Sequence, residues 1–164
     1  MAVPGSVCNA SQPIRLHAGK ATIAAPATLK AGTASVTVSA GNVVYGALTG
    51  AGEDESALNV WCTNTGGTAD GQLKNSLVVY STATGSLQVI GSLTAQQPLQ
   101  DQAKVGHVPY LDGSPNRTII QPGRISVHEL WYGPNDGTCC PSIRATTTWT
   151  YAGGAFQPST AVQN

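Results

Sequence analysis

The chain is poor in charge. Asp, Glu, Lys and Arg make up 10% of its 164 residues, and eight acidic residues balance eight basic ones. Soluble domains usually carry about 25% charged residues. Binding to phosphate backbones requires clustered Lys and Arg, whereas the basic residues here are scattered singly. The composition therefore argues against a protein that binds nucleic acid.

Long apolar runs and metal-ligand clusters are also missing. No run approaches the roughly 20 apolar residues that span a bilayer, so we expect no transmembrane segment. The histidines, His17, His107 and His128, are far apart, and the cysteines lack the spacing of two to four residues typical of zinc pairs. We expect neither metal nor cofactor. The N-terminus does not resemble a signal peptide, so for an exported protein we expect this sequence to be the mature form with an added start methionine.

What the chain does contain is typical of β structure. Hydrophobic residues make up 41%, and 19 Gly and 10 Pro are spread along the whole sequence. Residues 143–151 alternate strictly, and no segment keeps a period of 3.6 over 11 residues. The sequence predicts a mainly β domain, either a single antiparallel sheet or a sandwich of about nine short strands, with little helix and two disulfides.

Turn signals separate the predicted strands. Ala83-Thr84-Gly85 and Gln121-Pro122-Gly123 each lie between alternating segments, and Gly41-Asn42 follows another. We predict a hairpin at each of these three places. The domain organisation that we expect is an N-terminal segment over residues 1–12, tied down by Cys8, then a single β domain over 13–152 and a flexible tail over 153–164.

Four cysteines, Cys8, Cys62, Cys139 and Cys140, indicate where the protein is found. Four cysteines allow three pairings, and a bond between neighbours is rare because it closes a small, strained ring. We therefore expect Cys139 and Cys140 to bond to Cys8 and Cys62, in an order that the sequence leaves open. Disulfides persist in oxidising compartments, so we expect an extracellular or cell-envelope location.

The segment from Gly46 to Glu55 has the outline of a calcium loop, with glycines at a turn and three acids, Glu53, Asp54 and Glu55. Three consecutive acids in an extended chain cannot all face one ion. Two interpretations stay open, a solvated acidic turn and a loop with residual calcium affinity.

Three runs of the sequence carry a resemblance to a known family: Val44–Glu55, Val60–Leu73 and Trp131–Ser142. Between about Ile14 and Tyr151 the chain resembles actinobacterial secreted proteins and lipoproteins of the LppP/LprE type, most specifically in Cys-Cys-Pro-Ser ahead of a Thr-rich strand. It departs from that family at Ala47 and Ala51, where Asp is usual, and Pro-Gly-Ser-Val before Cys8 does not match a lipobox. The resemblance implies an exported β protein and assigns no activity.

Catalytic signatures are weak. The sequence has no Gly-x-Ser-x-Gly elbow. His128 and Glu129 are neighbours on a predicted strand and so face opposite sides. Glu129 falls on the apolar side, where an acid can act as a general acid with a shifted pKa. The more usual arrangements are a pair with Arg144 or Arg117, or a position at a sheet edge. We predict that the protein is not an enzyme.

Recognition is the function that we expect. The favoured role is a secreted or cell-envelope binding or structural module, with a protein or glycan partner outside the cell; the alternatives are an inhibitor of a secreted protease and a self-assembling extracellular subunit. The loops Thr63–Gly71 and Gly133–Thr138 are the expected recognition sites. Aromatic residues near the cysteines form either core packing or a binding platform. The possible recognition surface comprises Trp131, Tyr132, Pro134, Asn135 and Asp136.

Overall fold

The computed structural model describes residues 1–25, 35–50, 52–64, 72–99, 108–137 and 139–164. The mainly β class with two disulfides is confirmed, but these ranges contain 13 strands in three sheets rather than about nine in one or two. A 3-10 helix spans Gly5–Cys8. The strands are β1 (Ala2–Val3), β2 (Ile14–Arg15), β3 (Lys20–Ala24), β4 (Ser35–Gly46), β5 (Glu55–Asn64), β6 (Gln72–Ser81), β7 (Gln88–Leu93), β8 (Tyr110–Leu111), β9 (Thr118–Gln121), β10 (Arg124–Trp131), β11 (Ile143–Ala152), β12 (Ala155–Pro158) and β13 (Val162–Gln163).

The strands form a first sheet, a second sheet and a small pair. The first sheet has the order β3-β4-β5-β6-β7, so that each strand pairs with its neighbour in sequence. The second sheet is built on β10 and β11; β8 and β9 pair with β10, and β12 and β13 pair with β11. The small sheet pairs β1 with β2. All of these pairings are antiparallel, as short connections allow.

The first sheet is apolar on both faces because two different layers cover it. Alternate residues of a strand point to opposite faces. On β5, Val60 and Cys62 belong to a core shared with the N-terminal residues Val3 and Val7. Ala57, on the opposite face, belongs to a core that includes residues of the second sheet. The molecule therefore has three layers, with the first sheet in the middle.

The N-terminal segment is held on the outer face of the first sheet by the Cys8–Cys62 disulfide. Both cysteines are fully buried. Beside them, the Lys74 ammonium donates hydrogen bonds to the Ser6 carbonyl at 2.7 Å and to the Asn9 side-chain oxygen at 2.9 Å. Burial lowers the pKa of Lys74. A short segment with little core of its own is thus fastened by one covalent bond and by polar contacts from the first sheet.

The predicted cysteine pairing was wrong, because Cys139 bonds to Cys140. Cys62 points towards the N-terminal layer, whereas Cys139 and Cys140 lie between two strands of the second sheet, which packs against the opposite face. A bond from Cys62 to either of them would have to pass through the first sheet.

A buried pair of asparagines joins the two large sheets. Asn75 donates to the Asn59 side-chain oxygen and accepts a hydrogen bond from the Leu111 backbone amide at 2.8 Å. Asn59 donates to the Leu111 carbonyl at 3.4 Å. The pair acts as a strand would toward β8, because it supplies one acceptor and one donor. Gly113 lies against Asn59, and a Cβ at this glycine would come within 2.6 Å of the Asn59 Cβ. A side chain at Gly113 would displace Asn59.

Two predicted hairpins are confirmed and one is wrong. β6 pairs with β7 across Ala83–Gly85, and β9 pairs with β10 across Pro122–Gly123. At Gly41-Asn42 the chain does not reverse; β4 continues, and its register with β5 shifts between Ala40 and Val43. A glycine in an alternating segment can signal such a bulge as well as a turn. In the tail from 153 to 164, β12 and β13 pair with β11.

We predict that replacing Cys8 and Cys62 together by alanine lowers the free energy of unfolding by about 4 kcal/mol, because the bond spans 54 residues. Urea denaturation without reductant measures this loss. The matched control, Cys139→Ala with Cys140→Ala, is expected to cost under about 1 kcal/mol, since a bond between neighbours closes no chain loop. Equal losses in the two variants would contradict the prediction.

Candidate functional site

An apolar groove lies on the outer face of the first sheet, beside the N-terminal segment. The segment covers only part of this face, and Tyr45 and Leu87 remain 67% and 55% exposed. The groove has a volume of about 280 Å³. Its lining consists of Met1, Val43, Tyr45, Asp54, Ser56, Leu58, Tyr80, Thr82 and Leu87. Binding sites are commonly apolar hollows with a few polar groups, although most are somewhat larger.

The bulge in β4 places two of the groove's side chains. Before the bulge, Val38 pairs with Cys62 and shares its face of the sheet. After the bulge, Val43 pairs with Leu58, so odd-numbered residues of β4 now take the outer face. Val43 and Tyr45 therefore point outward, and Val44 is buried on the other side. The alternation of β4 alone does not predict this change, and the signal that could have shown it is Gly41-Asn42.

Two hydroxyl groups that line the groove are already engaged. The Tyr80 hydroxyl donates to the Ala2 carbonyl at 3.0 Å, and burial raises the pKa of Tyr80. The Thr82 hydroxyl donates to the Glu53 carboxylate. Asp54 is exposed and lines the groove. Asp54 is thus the one acidic side chain among the described residues that line the groove, and none of them has a basic side chain.

The acidic loop before β5 is held together by one of its own acids. Glu55 is 1% exposed and accepts hydrogen bonds from the Leu48 and Thr49 amides at 2.7 and 3.0 Å. The hydroxyls of Thr49 and Ser81 also donate to it. Burial opposes ionisation of Glu55, but these hydrogen bonds outweigh it and lower its pKa. Glu53 and Asp54 fit the predicted solvated turn, whereas Glu55 binds the chain itself.

Glu129 is a second buried carboxylate, and its pKa is shifted in the opposite direction to that of Glu55. Its Oε2 accepts hydrogen bonds from the Gln96 amide and the Trp131 indole, both at 2.6 Å. Burial raises the pKa of Glu129, and it outweighs the Thr147 hydroxyl and these two donors, which favour the charged form. Glu129 Oε1 and the Thr147 hydroxyl are buried without an aligned hydrogen-bond partner among the described residues.

The predicted environment of Glu129 is thus confirmed in part. It does lie on the buried face of β10, but its partners are an indole and a backbone amide rather than Arg117 or Arg144. Arg144 is exposed, which avoids the cost of burying a second charge. His128 does not share this face, since it alternates with Glu129 along β10.

The residues of the possible recognition surface divide into two groups. Trp131 and Tyr132 are 3% and 2% exposed and belong to the interior, so they do not form a surface. Pro134 and Asn135 are exposed. Asp136 is partly buried and accepts hydrogen bonds from the Gly133 and Ser142 amides, both at 2.7 Å. These last contacts close the base of a loop, which we call the dicysteine loop (residues 133–137 and 139–142).

The dicysteine loop carries the Cys139–Cys140 bond at its exposed end. Both cysteines are exposed, and the Cys140 amide donates to the Gly137 carbonyl at 3.0 Å. At the base, Gln97 donates to the Tyr132 carbonyl at 2.8 Å and accepts from the Tyr132 amide at 3.2 Å. A firm base and an exposed tip are therefore combined in one loop.

Other predicted features lie elsewhere or outside the described residues. A second hollow of about 430 Å³ is lined by residues 10–15 and 21–24. Of the predicted recognition loop Thr63–Gly71, only Thr63 and Asn64 lie within the described residues, and His107 lies outside them. In the described ranges, no group of three or more His, Cys, Asp or Glu is arranged to hold a metal, and no helix is long and apolar enough to cross a membrane.

Comparison with known proteins identifies no relative: no protein-family model, curated protein or solved structure matches the chain.

We predict that Glu129→Gln stabilises the protein by about 1 kcal/mol near pH 7, because a neutral amide keeps both acceptor contacts and can donate to Thr147. In the folded state the pKa of Glu129 lies above the ordinary carboxyl value of 4.5. The contribution of Glu129 is therefore present below pH 4.5 and is lost as the pH rises through its folded pKa. Urea unfolding between about pH 4 and pH 8 should show this slope, and the variant should lack it.

Glu55→Gln serves as the matched contrast. The folded pKa of Glu55 is lowered, so its contribution is present above 4.5 and is lost as the pH falls through the folded value. Removing this charge should cost about 1.5–3 kcal/mol near pH 7. If the two variants changed the free energy of unfolding in the same direction at that pH, the opposite pKa shifts of Glu55 and Glu129 would be contradicted.

Proposed function

We propose that the protein is an exported, non-catalytic binding module, and that the apolar groove is its recognition site. The observation that carries this proposal is the exposure of Tyr45 and Leu87 beside buried apolar side chains on a sheet face that is otherwise covered. Large exposed apolar patches mark interaction sites and ligand-binding grooves. An exported, β-rich binding module also fits the resemblance to the LppP/LprE type, and membership of that family is part of the proposal.

The partner that fits the groove is an extended protein segment with an apolar side chain next to Lys or Arg. The apolar side chain would be buried against Val43, Leu58 and Leu87, and the cation would lie near Asp54. A glycan fits less well, because sugars require several free hydrogen-bonding groups and the hydroxyls of Tyr80 and Thr82 are already engaged.

The two buried carboxylates support the non-catalytic part of the proposal. Glu55 and Glu129 are two acids with shifted pKa, and shifted acids are the usual candidates for acid–base catalysis. Each is 1% exposed and bonded to the chain's own donors. A general acid must reach its substrate, and these two lie beneath packed side chains.

The test uses two end-blocked synthetic peptides that differ only in having Leu-Lys or Leu-Glu pairs, titrated by fluorescence anisotropy. We predict tighter binding of the basic peptide, weakened by salt. Tyr45→Ala should weaken it at least about fivefold, as expected for an anchoring aromatic. Asp54→Lys should reverse the preference in favour of the acidic peptide.

Ile119→Ala is the matched control, because Ile119 is a 47% exposed apolar residue on the second sheet. It should leave binding unchanged. The proposal fails if Asp54→Lys leaves the preference intact or if both alanine variants act equally. Sedimentation at two concentrations tests whether a second copy of the chain fills the groove. A dimer that Tyr45→Ala abolishes would show that the ligand is this second copy rather than a basic peptide.

A second candidate function, inhibition of a secreted protease, is favoured by the dicysteine loop. Its tip exposes Pro134 and Asn135, and Asp136 fastens its base. A loop held in one conformation loses little entropy on docking. In a panel of secreted proteases, an inhibitor should give nanomolar inhibition that Asn135→Arg weakens at least about tenfold. Cleavage within the loop, or no effect on any protease, would contradict this candidate.

A further inference from the structure

The two disulfides of the protein differ in their exposure to thiols in solution. Cys8 and Cys62 are 0% exposed and lie in the core between the N-terminal segment and the first sheet. Cys139 and Cys140 are both exposed in the dicysteine loop. Thiol–disulfide exchange requires a thiolate to reach a sulfur atom. In the folded protein, only the second bond meets this requirement.

The Cys139–Cys140 bond also contributes little to the stability of the fold. A disulfide stabilises mainly by restricting the conformations of the unfolded chain. The stabilisation grows with the number of residues that the bond encloses. Cys8 and Cys62 are 54 residues apart, whereas Cys139 and Cys140 are one residue apart. Opening the second bond therefore hardly changes the conformational entropy of the unfolded chain.

The base of the dicysteine loop is fastened without the disulfide. Asp136 binds the Gly133 and Ser142 amides, and Gln97 binds both backbone groups of Tyr132. None of these contacts involves a sulfur atom. Opening the bond therefore breaks none of these contacts at the base.

We propose that Cys139–Cys140 is a reversible redox site that exchanges electrons with dithiols while the protein stays folded. A thiolate of the dithiol attacks one sulfur, the Cys139–Cys140 bond breaks, and a mixed disulfide forms as the other cysteine leaves as a thiolate. The second thiol of the dithiol then displaces the attached cysteine. The dithiol becomes a disulfide, and its two protons end on the Cys139 and Cys140 thiols. The site is distinct from the groove and does not depend on the proposed function.

The test is native reduction by dithiothreitol at about pH 8, followed by trapping with iodoacetamide and peptide mapping. We expect Cys139 and Cys140 to be alkylated on the order of 10³ times faster than Cys8 and Cys62, since the buried pair is reached only through unfolding. Near-ultraviolet circular dichroism should stay native during the fast phase. Removing dithiothreitol and adding oxidised glutathione should close the bond again.

Two controls keep the result interpretable. In concentrated urea, both pairs should be reduced at similar rates, which would show that folding creates the selectivity. Cys139→Ser with Cys140→Ser should lack the fast phase while keeping its melting temperature within about 2 °C of the parent. The proposal is overturned if both pairs react together in the native protein, if neither reacts, if the bond does not close again, or if the fast phase unfolds the chain.

Discussion

The fastening of the N-terminal segment to the outer face of the first sheet governs the rest of the molecule. Without this layer, Val36, Val38, Val60 and Cys62 would form an apolar face in contact with water. The segment contributes only two-residue strands and a 3-10 helix, too little structure to fold alone. Covalent attachment through Cys8 offsets the entropy that the segment loses. The groove exists because this attached layer is smaller than the sheet that it covers.

The few buried polar groups organise the interior more than their number suggests. Glu55 closes the loop before β5, and the Asn59–Asn75 pair joins the first sheet to β8. Glu129 links β10 to the chain at Gln96. Each of these residues binds backbone groups that no β ladder satisfies, which buried backbone requires. Glu55 gains enough hydrogen bonds to stay charged more readily than usual, whereas burial dominates at Glu129, so one interior holds two acids of opposite tendency.

The sequence predicted the features that depend on local pattern. Alternation in β10 placed Glu129 on the buried face, and glycine-containing turns located two hairpins. It did not predict the bulge of β4, because Gly41-Asn42 is equally suited to a turn. The prediction of the cysteine pairing was wrong because pairing depends on the sheet and the face on which each cysteine lies. These positions are set by tertiary structure, which the local pattern does not show. The groove was missed for the same reason, since Tyr45 and Leu87 come to line one hollow only when the strands are assembled into a sheet. The recognition surface was placed on Trp131 and Tyr132 from residue type alone, and both proved to be interior.

The position of Met1 has a practical consequence for handling this protein. Met1 lines the groove, whereas Asn164 follows β13, and its amide donates to the Arg144 carbonyl on the second sheet. Any peptide fused ahead of Met1 begins at the mouth of the groove and competes with whatever would bind there. An affinity tag at this end would mask the surface that it was meant to help study, and a tag after Asn164 would leave it clear.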